Sequence, residues 1–212
     1  MPWRRVIIAI VLPLLAMQAA APSRAASKSY RISAVQPDPE KRWAPVEELA
    51  QTRRDVGFKI RFLEPVARRK AIHSVLGREL DMFPGRVDEA HPGYLVFIMQ
   101  IDNGGREDVY FNPGQARLLT DRGDMKIALD YSALYEACRP LGNAAPSLDE
   151  LASVVFDRAV TITPGGSVRK LLAFEAPKED KYRGFQVQVV EVNVGAVAED
   201  VVFPFRKIFE DR

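Results

Sequence analysis

The sequence predicts a mainly β protein, an antiparallel sandwich with two or three short helices inserted or flanking. Stretches with apolar residues at every second position recur from residue 58 onwards, which is the pattern of half-buried strands. Turn-forming residues separate these stretches at short intervals, as is typical of sandwiches. Strands and helices do not alternate as they would around a parallel sheet. We therefore expect one β-sandwich domain over residues 58–212, with a helical insert at about 132–158.

The first half of this domain contains five expected strands. In the first of them, Phe58, Ile60 and Phe62 alternate with basic residues. The other four cover residues 94–101, 108–112, 116–120 and 125–130. "YLVFIMQI" is apolar almost throughout, so we expect it to be a central strand covered on both faces. "DRGD" suits a tight hairpin between the last two strands, and residues 102–105 suit a hairpin turn after the central strand.

Helical signals occur in two regions. An apolar stripe at residues 72, 76 and 80 indicates a helix that begins near Pro65, a residue tolerated in the first turn. In the expected insert, Ser147 and Glu150 have the spacing of a capping box, so a helix should begin there.

Four more strands are expected in the last third of the chain. The first two flank residues 164–167, Pro-Gly-Gly-Ser, which we expect to close a hairpin. In "FQVQVVEVNV" the apolar phase changes between Val189 and Val190, and such a one-residue slip is what a β-bulge produces. In the last strand, "VVFPF", Pro204 cannot donate a hydrogen bond to a neighbour. We therefore expect an edge strand, or one that is paired on one side only.

Residues 1–25 have the three parts of a cleaved secretory signal. A basic leader precedes a dozen apolar residues, fewer than the roughly 20 that a membrane-spanning helix needs, and small residues favour cleavage after Ala25. An uncleaved anchor is the alternative. Loss of the three arginines in this segment takes the formal net charge from +2 to −1, so nucleic-acid binding is excluded as the main role. We expect an exported protein, periplasmic or secreted, without stable membrane insertion after cleavage.

Residues 26–57 are expected to form an N-terminal arm with a short helix. Residues 26–45 contain three prolines, many charges and little periodicity. In "APVEELAQTRRD" acidic residues precede basic ones, an order that suits the helix dipole, and Gly57 is suited to end the helix. Trp43 is a large aromatic residue that we expect to pack on its own domain or on a partner.

The sequence contains no recognisable catalytic motif. The single cysteine, Cys138, cannot form an internal disulfide, and its spacing from Leu134 places both on one helix face, so a buried thiol is expected. His73 and His91 are the two histidines, and they lack the spacing of metal ligands. Adjacent acidic residues on a strand point to opposite faces, so none of the acidic pairs suits glycoside hydrolysis. We expect neither enzyme activity nor a cofactor.

The segment "DNGGRED" raises the question of a calcium site. Its possible oxygen ligands are Asp102, Asn103, Glu107 and Asp108. Calcium takes six to eight oxygens, and the alternate-residue spacing of a calcium loop is lacking here. Asn-Gly and Gly-Gly are also the residues that a tight turn requires, so we favour a turn and keep the four residues as candidate ligands.

Two segments, "GYLVFIMQIDNGG" and "VTITPGGSVRKLLAFEAP", resemble marks of exported bacterial immunoglobulin-like domains of unknown function. Such domains have an apolar core strand that ends in an Asn-containing turn, and a Pro-Gly turn before a strand with paired Leu and Phe. The positions of the second mark here are Pro164, Gly165, Leu172, Phe174 and Pro177. The resemblance covers roughly residues 58–208 and implies a sandwich located outside the cytoplasm, with no catalytic residues.

These observations favour a non-enzymatic interaction or assembly module of the cell envelope. Strand addition at a sheet edge is a common recognition mode, so we expect a protein partner to contact the arm and the last strand. The candidate contact residues are Trp43, Phe203, Pro204 and Phe205. The alternative function is a small-ligand or calcium-binding sandwich, with hydrolysis as a further option.

Overall fold

Two antiparallel β-sheets face each other in the computed structural model, which describes residues 30–38, 42–83, 93–177 and 181–209. The strands are β1 (Tyr30–Asp38), β2 (Arg42–Val46), β3 (Leu49–Arg53), β4 (Val56–Phe62), β5 (Tyr94–Asn103), β6 (Val109–Phe111), β7 (Ala116–Thr120), β8 (Met125–Ile127), β9 (Val160–Ile162), β10 (Ser167–Glu175), β11 (Gly184–Val194) and β12 (Val197–Phe209). The helices are α1 (Pro65–Leu76), α2 (Tyr131–Cys138) and α3 (Leu148–Val154), with 3₁₀ turns at Pro113–Gln115 and Arg139–Ala144. The predicted fold class, a mainly β antiparallel sandwich with short helices, is confirmed.

The larger sheet runs in the order β2-β1-β12-β11, and β11 changes its next partner halfway along. Its residues from Phe185 to Val189 pair with β7, which in turn pairs with β8. Its end, at Asn193 and Val194, pairs with β6, and β6 pairs with β9. The register of β11 on β12 shifts between Val189 and Val192, so the predicted β-bulge is confirmed and separates these two partners. The smaller sheet has the order β10-β5-β4-β3.

Phenylalanine rings from both sheets fill the space between them. The Phe97 ring is fully buried and lies 5.0 Å from Phe205 between ring centroids. It also contacts Phe62, Phe174 and Phe185 at 5.6, 5.9 and 6.1 Å. Because edge-to-face pairs contribute about 0.5–1.5 kcal/mol beyond burial, this cluster fixes how the sheets sit against each other.

A second apolar cluster covers part of the outer face of the smaller sheet. Val96 of β5 packs there with Ile72 of α1, Cys138 of α2 and Leu151 of α3. Val96 and Phe97 lie on opposite faces of β5 and neither has exposed surface, so the prediction of a central strand covered on both faces is confirmed.

The helices expected near Pro65, around Cys138 and at Ser147 form, but α1 ends at Leu76, so Leu80 of the expected apolar stripe lies beyond it. Pro65 opens α1, and Gly77 ends it in the left-handed conformation (φ 68°), which glycine adopts without strain. The capping box of Ser147 and Glu150 is present at the start of α3, as predicted. Cys138 is 1% exposed, as expected for its helix face.

The helix predicted within residues 44–55 is wrong, because this segment is extended. β2 pairs with β1, and β3 pairs with β4 through a two-residue turn in which Arg54 and Asp55 have positive φ, 47° and 63°. This is the backbone of a type I′ hairpin. Leu49 is buried in the main core, so packing of the hairpin outweighs the charge order that favoured a helix.

Part of the predicted arm is an integral strand of the larger sheet. Residues 30–34 of β1 pair with the end of β12, from Tyr30 opposite Phe209 to Ala34 opposite Phe205. Ile32 and Ala34 belong to the main core. The prolines of β1 and β2 are compatible with strands here because these two strands lie at the margin of the sheet.

Residues 102–105 and 164–167 do not close hairpins, so both of these predictions are wrong. β5 and β10 pair with each other in the smaller sheet, whereas β6 and β9 pair with each other in the larger one. Each turn therefore takes the chain from one sheet to the other. The hairpin predicted at "DRGD" is confirmed between β7 and β8, and Gly123 supplies its positive φ of 89°.

β12 is an interior strand between β1 and β11, so the predicted edge strand is wrong for the strand as a whole. At Pro204 itself the pairing is one-sided. Pro204 lies opposite Gln186 of β11, while pairing with β1 stops one residue away, at Phe205. Pro204, which has no backbone N–H to donate, thus lies at the point where β1 separates from β12.

Candidate functional site

The outer face of the larger sheet carries a row of side chains that crosses four strands. In the strand register Met125 lies opposite Leu119, Leu119 opposite Gln186, and Gln186 opposite Pro204. Directly opposed residues of antiparallel strands project from the same face. Trp43 lies beyond Pro204 at the end of this row and lines a groove of about 240 Å³ with Pro204, Gln186 and Leu119. We call this row, from Trp43 to Met125, the apolar row.

Trp43 reaches the apolar row because β1 leaves β12 at Pro204. Beyond this point β1 continues with β2 alone, and Trp43 lies opposite Pro37 in that hairpin. The guanidinium carbon of Arg206 lies 5.3 Å from the centre of the Trp43 ring, a cation–π contact. The indole Nε1 of Trp43 is buried and has no hydrogen-bond acceptor among the described residues.

A second row lies beside the apolar row. Ile127 is opposite Arg117, Arg117 is opposite Gln188, and Gln188 is opposite Val202. Ile127 and Met125 are 55% and 53% exposed, and Val202 is 37% exposed. Two adjacent rows thus combine exposed apolar side chains with arginine and glutamine.

The structure separates the predicted partner-contact residues into two groups. Trp43 and Pro204 are half-buried and share the groove on the outer face. Phe205 also lines this groove, but Phe203 and Phe205 have exposed fractions of only 0% and 1% and belong to the core, so their prediction as partner contacts is wrong. The physical reason is the alternation of a strand: Phe203 and Phe205 face inwards and Pro204 faces outwards.

Sequence reasoning missed Arg206, Met125 and Ile127 as members of this face. A signal was present, because Met125 and Ile127 share one phase of a short strand. The pattern alone does not tell which side of a sheet is covered.

The four candidate calcium ligands do not converge in the structure. Asn103 is 1% exposed, and its Nδ2 donates to the carbonyl oxygens of Glu107 and Ile162, both at 2.8 Å. Its Oδ1 accepts from the amide of Gly105 at 3.0 Å, so the side chain is used within the turn. Asp102 belongs to the opposite face of β5, where Lys59 Nζ lies 3.2 Å from its Oδ2. Among the described residues no group of three or more His, Cys, Asp or Glu is placed to hold a metal ion.

The glycines after Asn103 serve close packing. An added Cβ at Gly104 would lie 2.9 Å from the carbonyl oxygen of Asp55, and neither Gly104 nor Gly105 has positive φ. The amide of Gly104 donates to that same Asp55 oxygen at 3.0 Å. The backbone of Asn103 also donates to Gly166 and accepts from Gly165, at 2.9 and 2.8 Å. Asn103 and the glycine after it therefore connect the β3–β4 turn with the two segments that cross between the sheets. We call this end of the sandwich the Asn103 junction.

Titratable groups elsewhere provide no catalytic arrangement in the described parts of the chain. His73 is exposed on α1, and His91 lies outside the described residues. Burial raises the pKa of the Cys138 thiol to about 11, which keeps it protonated and unreactive at neutral pH. Arg68 of α1 is buried, and its guanidinium donates to Asp81 and to the carbonyl oxygen of Phe83, at 2.9 and 2.7 Å.

No family model and no curated protein matches the chain. Two solved structures of similar arrangement are the yjhA protein from Bacillus subtilis and a functionally unknown protein from Listeria monocytogenes EGD-e. The first is 10% identical, with a TM-score of 0.37 over 66% of this chain and 76% of that chain. The second is 14% identical, with a TM-score of 0.38 over 83% and 85% of the two chains. Neither likeness is close enough to indicate a function.

Where the structure describes the chain, none of its helices has the length and apolar character to cross a membrane.

Proposed function

We propose that this protein is a non-enzymatic interaction module of the cell envelope, exported by residues 1–25 and active in the periplasm or outside the cell. The basic leader, short apolar run and small residues before Ala25 support export. These residues lie outside the described part of the structure.

We also propose that the sandwich is of the immunoglobulin-like kind. The support is the resemblance of its β5 and β10 segments to such domains. Leu172 and Phe174, the paired residues of that resemblance, are buried in the core at 1% and 0% exposure.

The observation that carries the interaction proposal is the apolar row. Protein interfaces are enriched in Trp, Met and Arg, which are the residue types of this face: Trp43, Met125, Arg117 and Arg206. Buried Trp and Arg residues also dominate binding energies at interfaces. The partner surface that fits is an apolar segment with acidic groups for the two arginines.

Site-specific photo-crosslinking in the native host tests this proposal. A photo-reactive residue at Gln186, in the middle of the apolar row, should capture a discrete protein partner from the envelope. The same residue at Val66, which is 57% exposed on α1, is the matched control. Adding Met125→Glu to the Gln186 probe should abolish capture. Identical products from the two probe positions would contradict the proposal that a partner binds at the apolar row. Capture that survives Met125→Glu would contradict it as well.

The N-terminus of the protein recovered in the same experiment tests export. We expect mass spectrometry to find the mature chain beginning at Ala26 in the envelope fraction. A chain that retains Met1 in the cytoplasm would refute the export proposal, and the crosslinking result would remain interpretable separately.

A further inference from the structure

The outer face of the smaller sheet contains a basic groove, on the opposite side of the sandwich from the apolar row. This groove has a volume of about 390 Å³ and lies between α1 on one side and β10 and α3 on the other. Its charged lining residues are Arg61, Lys70, Arg169 and Lys170, and no aspartate or glutamate lines it.

The strand register explains how cations and apolar residues come together there. Arg61 of β4 and Leu171 of β10 both lie opposite Ile98 of the central strand β5, so the three form one row across the sheet. Arg169 lies in the next row, opposite Gln100. Lys70 enters from α1, above this row.

The apolar part of the groove continues onto the two helices. Ala67, Ala71 and Val75 line it from α1, and Val154 lines it from α3. Val75 is 53% exposed although it is apolar, because the groove beside it is open. The groove therefore has an apolar floor and wall next to its charged rim.

Two of the four cations have protein partners. Arg61 pairs with Glu47, with 2.7 Å between nitrogen and oxygen, and Lys170 donates to the backbone oxygen of Ala152 in α3. The side chains of Lys70 and Arg169 form no hydrogen bond or ion pair with another described residue. Both side chains are exposed at the groove, so a bound anion could reach both without breaking an existing contact.

We propose that this groove binds a single-chain amphiphile with a phosphate head group. The head group contacts Lys70 and Arg169, because guanidinium presents paired donors to phosphate and lysine adds a point charge. The alkyl chain lies on Ile98, Leu171 and Val75. A volume of about 390 Å³ falls within the range of roughly 300–1,000 Å³ found for small-ligand sites.

Calorimetric titration of the full mature protein with dodecyl phosphate, below its micellar concentration, tests the proposal. We expect saturable binding that weakens as salt is raised, because the head group is held by charge. Dodecyl maltoside has the same chain with a neutral head and should not bind. Inorganic phosphate has no chain and should bind more weakly. Equal binding of dodecyl maltoside would overturn the ionic part of the proposal, and equal binding of inorganic phosphate would overturn the apolar part.

Variants locate the site. Lys70→Ala combined with Arg169→Ala should weaken dodecyl phosphate binding by about tenfold or more, since each lost contact is a hydrogen bond to a charged group. Both residues are exposed, so the fold should be retained. Arg122→Ala removes an exposed cation from the turn between β7 and β8 and is the control, with expected wild-type affinity. Wild-type affinity in the double variant, or an equal loss in the control, would overturn the assignment.

Discussion

Replacement of Asn103 by alanine should destabilise the protein far more than loss of one turn residue normally does. The side chain makes three hydrogen bonds, to the oxygens of Glu107 and Ile162 and from the amide of Gly105. Each is worth about 0.5–1.5 kcal/mol net, and a buried carbonyl left without a donor costs more. Since Asn103 is 1% exposed, water cannot replace these bonds freely. We expect a loss of about 3 kcal/mol in the free energy of unfolding.

Asn112 provides a matched control in the same chain. Its Oδ1 accepts a single hydrogen bond, from the amide of Gly114 at 3.0 Å, in an exposed turn. It therefore has the same local geometry as Asn103 toward the residue two positions on, without the two donated bonds. Asn112→Ala should cost about 0.5–1 kcal/mol.

Urea unfolding followed by circular dichroism measures both variants, with free energies taken by linear extrapolation. Similar slopes with denaturant would show that both unfold from comparable native states. If Asn103→Ala lost no more stability than Asn112→Ala, the Asn103 junction would not be the structural centre that we infer.

Three further outcomes follow from the structure. Cys138 should react with a thiol reagent at pH 8 only as fast as the protein opens, because burial raises its pKa to about 11, and labelling at the rate of a free thiol would contradict its burial. The pKa of Asp102 is lowered below 3.8, chiefly by the hydrogen bond from the Gln100 side-chain amide. The ionised Asp102 carboxylate therefore stabilises the fold fully above pH 3.8, and this stabilisation is lost as the pH falls through the lowered pKa. Asp102→Asn should therefore flatten the acid limb of the stability profile, and an unchanged limb would refute this. Ser147→Ala should cost about 1 kcal/mol by removing the α3 cap, with Ser153→Ala as an exposed control on the same helix, and equal losses would argue against a capping role.

Local patterns in the sequence predicted those elements whose signals are themselves local. The β-bulge of β11 could be located from the phase change after Val189, because one inserted residue must move every later side chain to the other face. The capping box and the paired burial of Leu134 and Cys138 are equally short-range.

Apart from the β7–β8 hairpin, these patterns could not predict which strands pair. The turn residues at 102–105 and 164–167 indicated where the chain turns, but the choice between a hairpin and a crossing depends on which strands meet over the core. The β3–β4 hairpin was missed for a different reason. Its positive-φ residues are Arg54 and Asp55, whereas the usual signal for such a turn is Asn-Gly.

Only part of the candidate binding surface, the apolar row with Arg206 beside it, could be identified from the sequence. Trp43 and Pro204 were identified because each is unusual in its local context. Arg206 and Met125 are ordinary residues on strands, and only the register of the larger sheet brings them near the other two. Contacts between distant strands of this kind leave no mark in a single sequence.

The pairing of β1 with β12 constrains when the protein can become folded. These are the first and last described strands, so the larger sheet lacks its interior partner until nearly all of the chain has been delivered. Contacts so far apart in sequence form slowly, because the loop between them must first be closed. During synthesis, the apolar face of β1, with Ile32 and Ala34, lacks its partner strand. The chain therefore depends, for a brief period, on whatever shields an unpaired strand until Phe205 and Phe209 arrive.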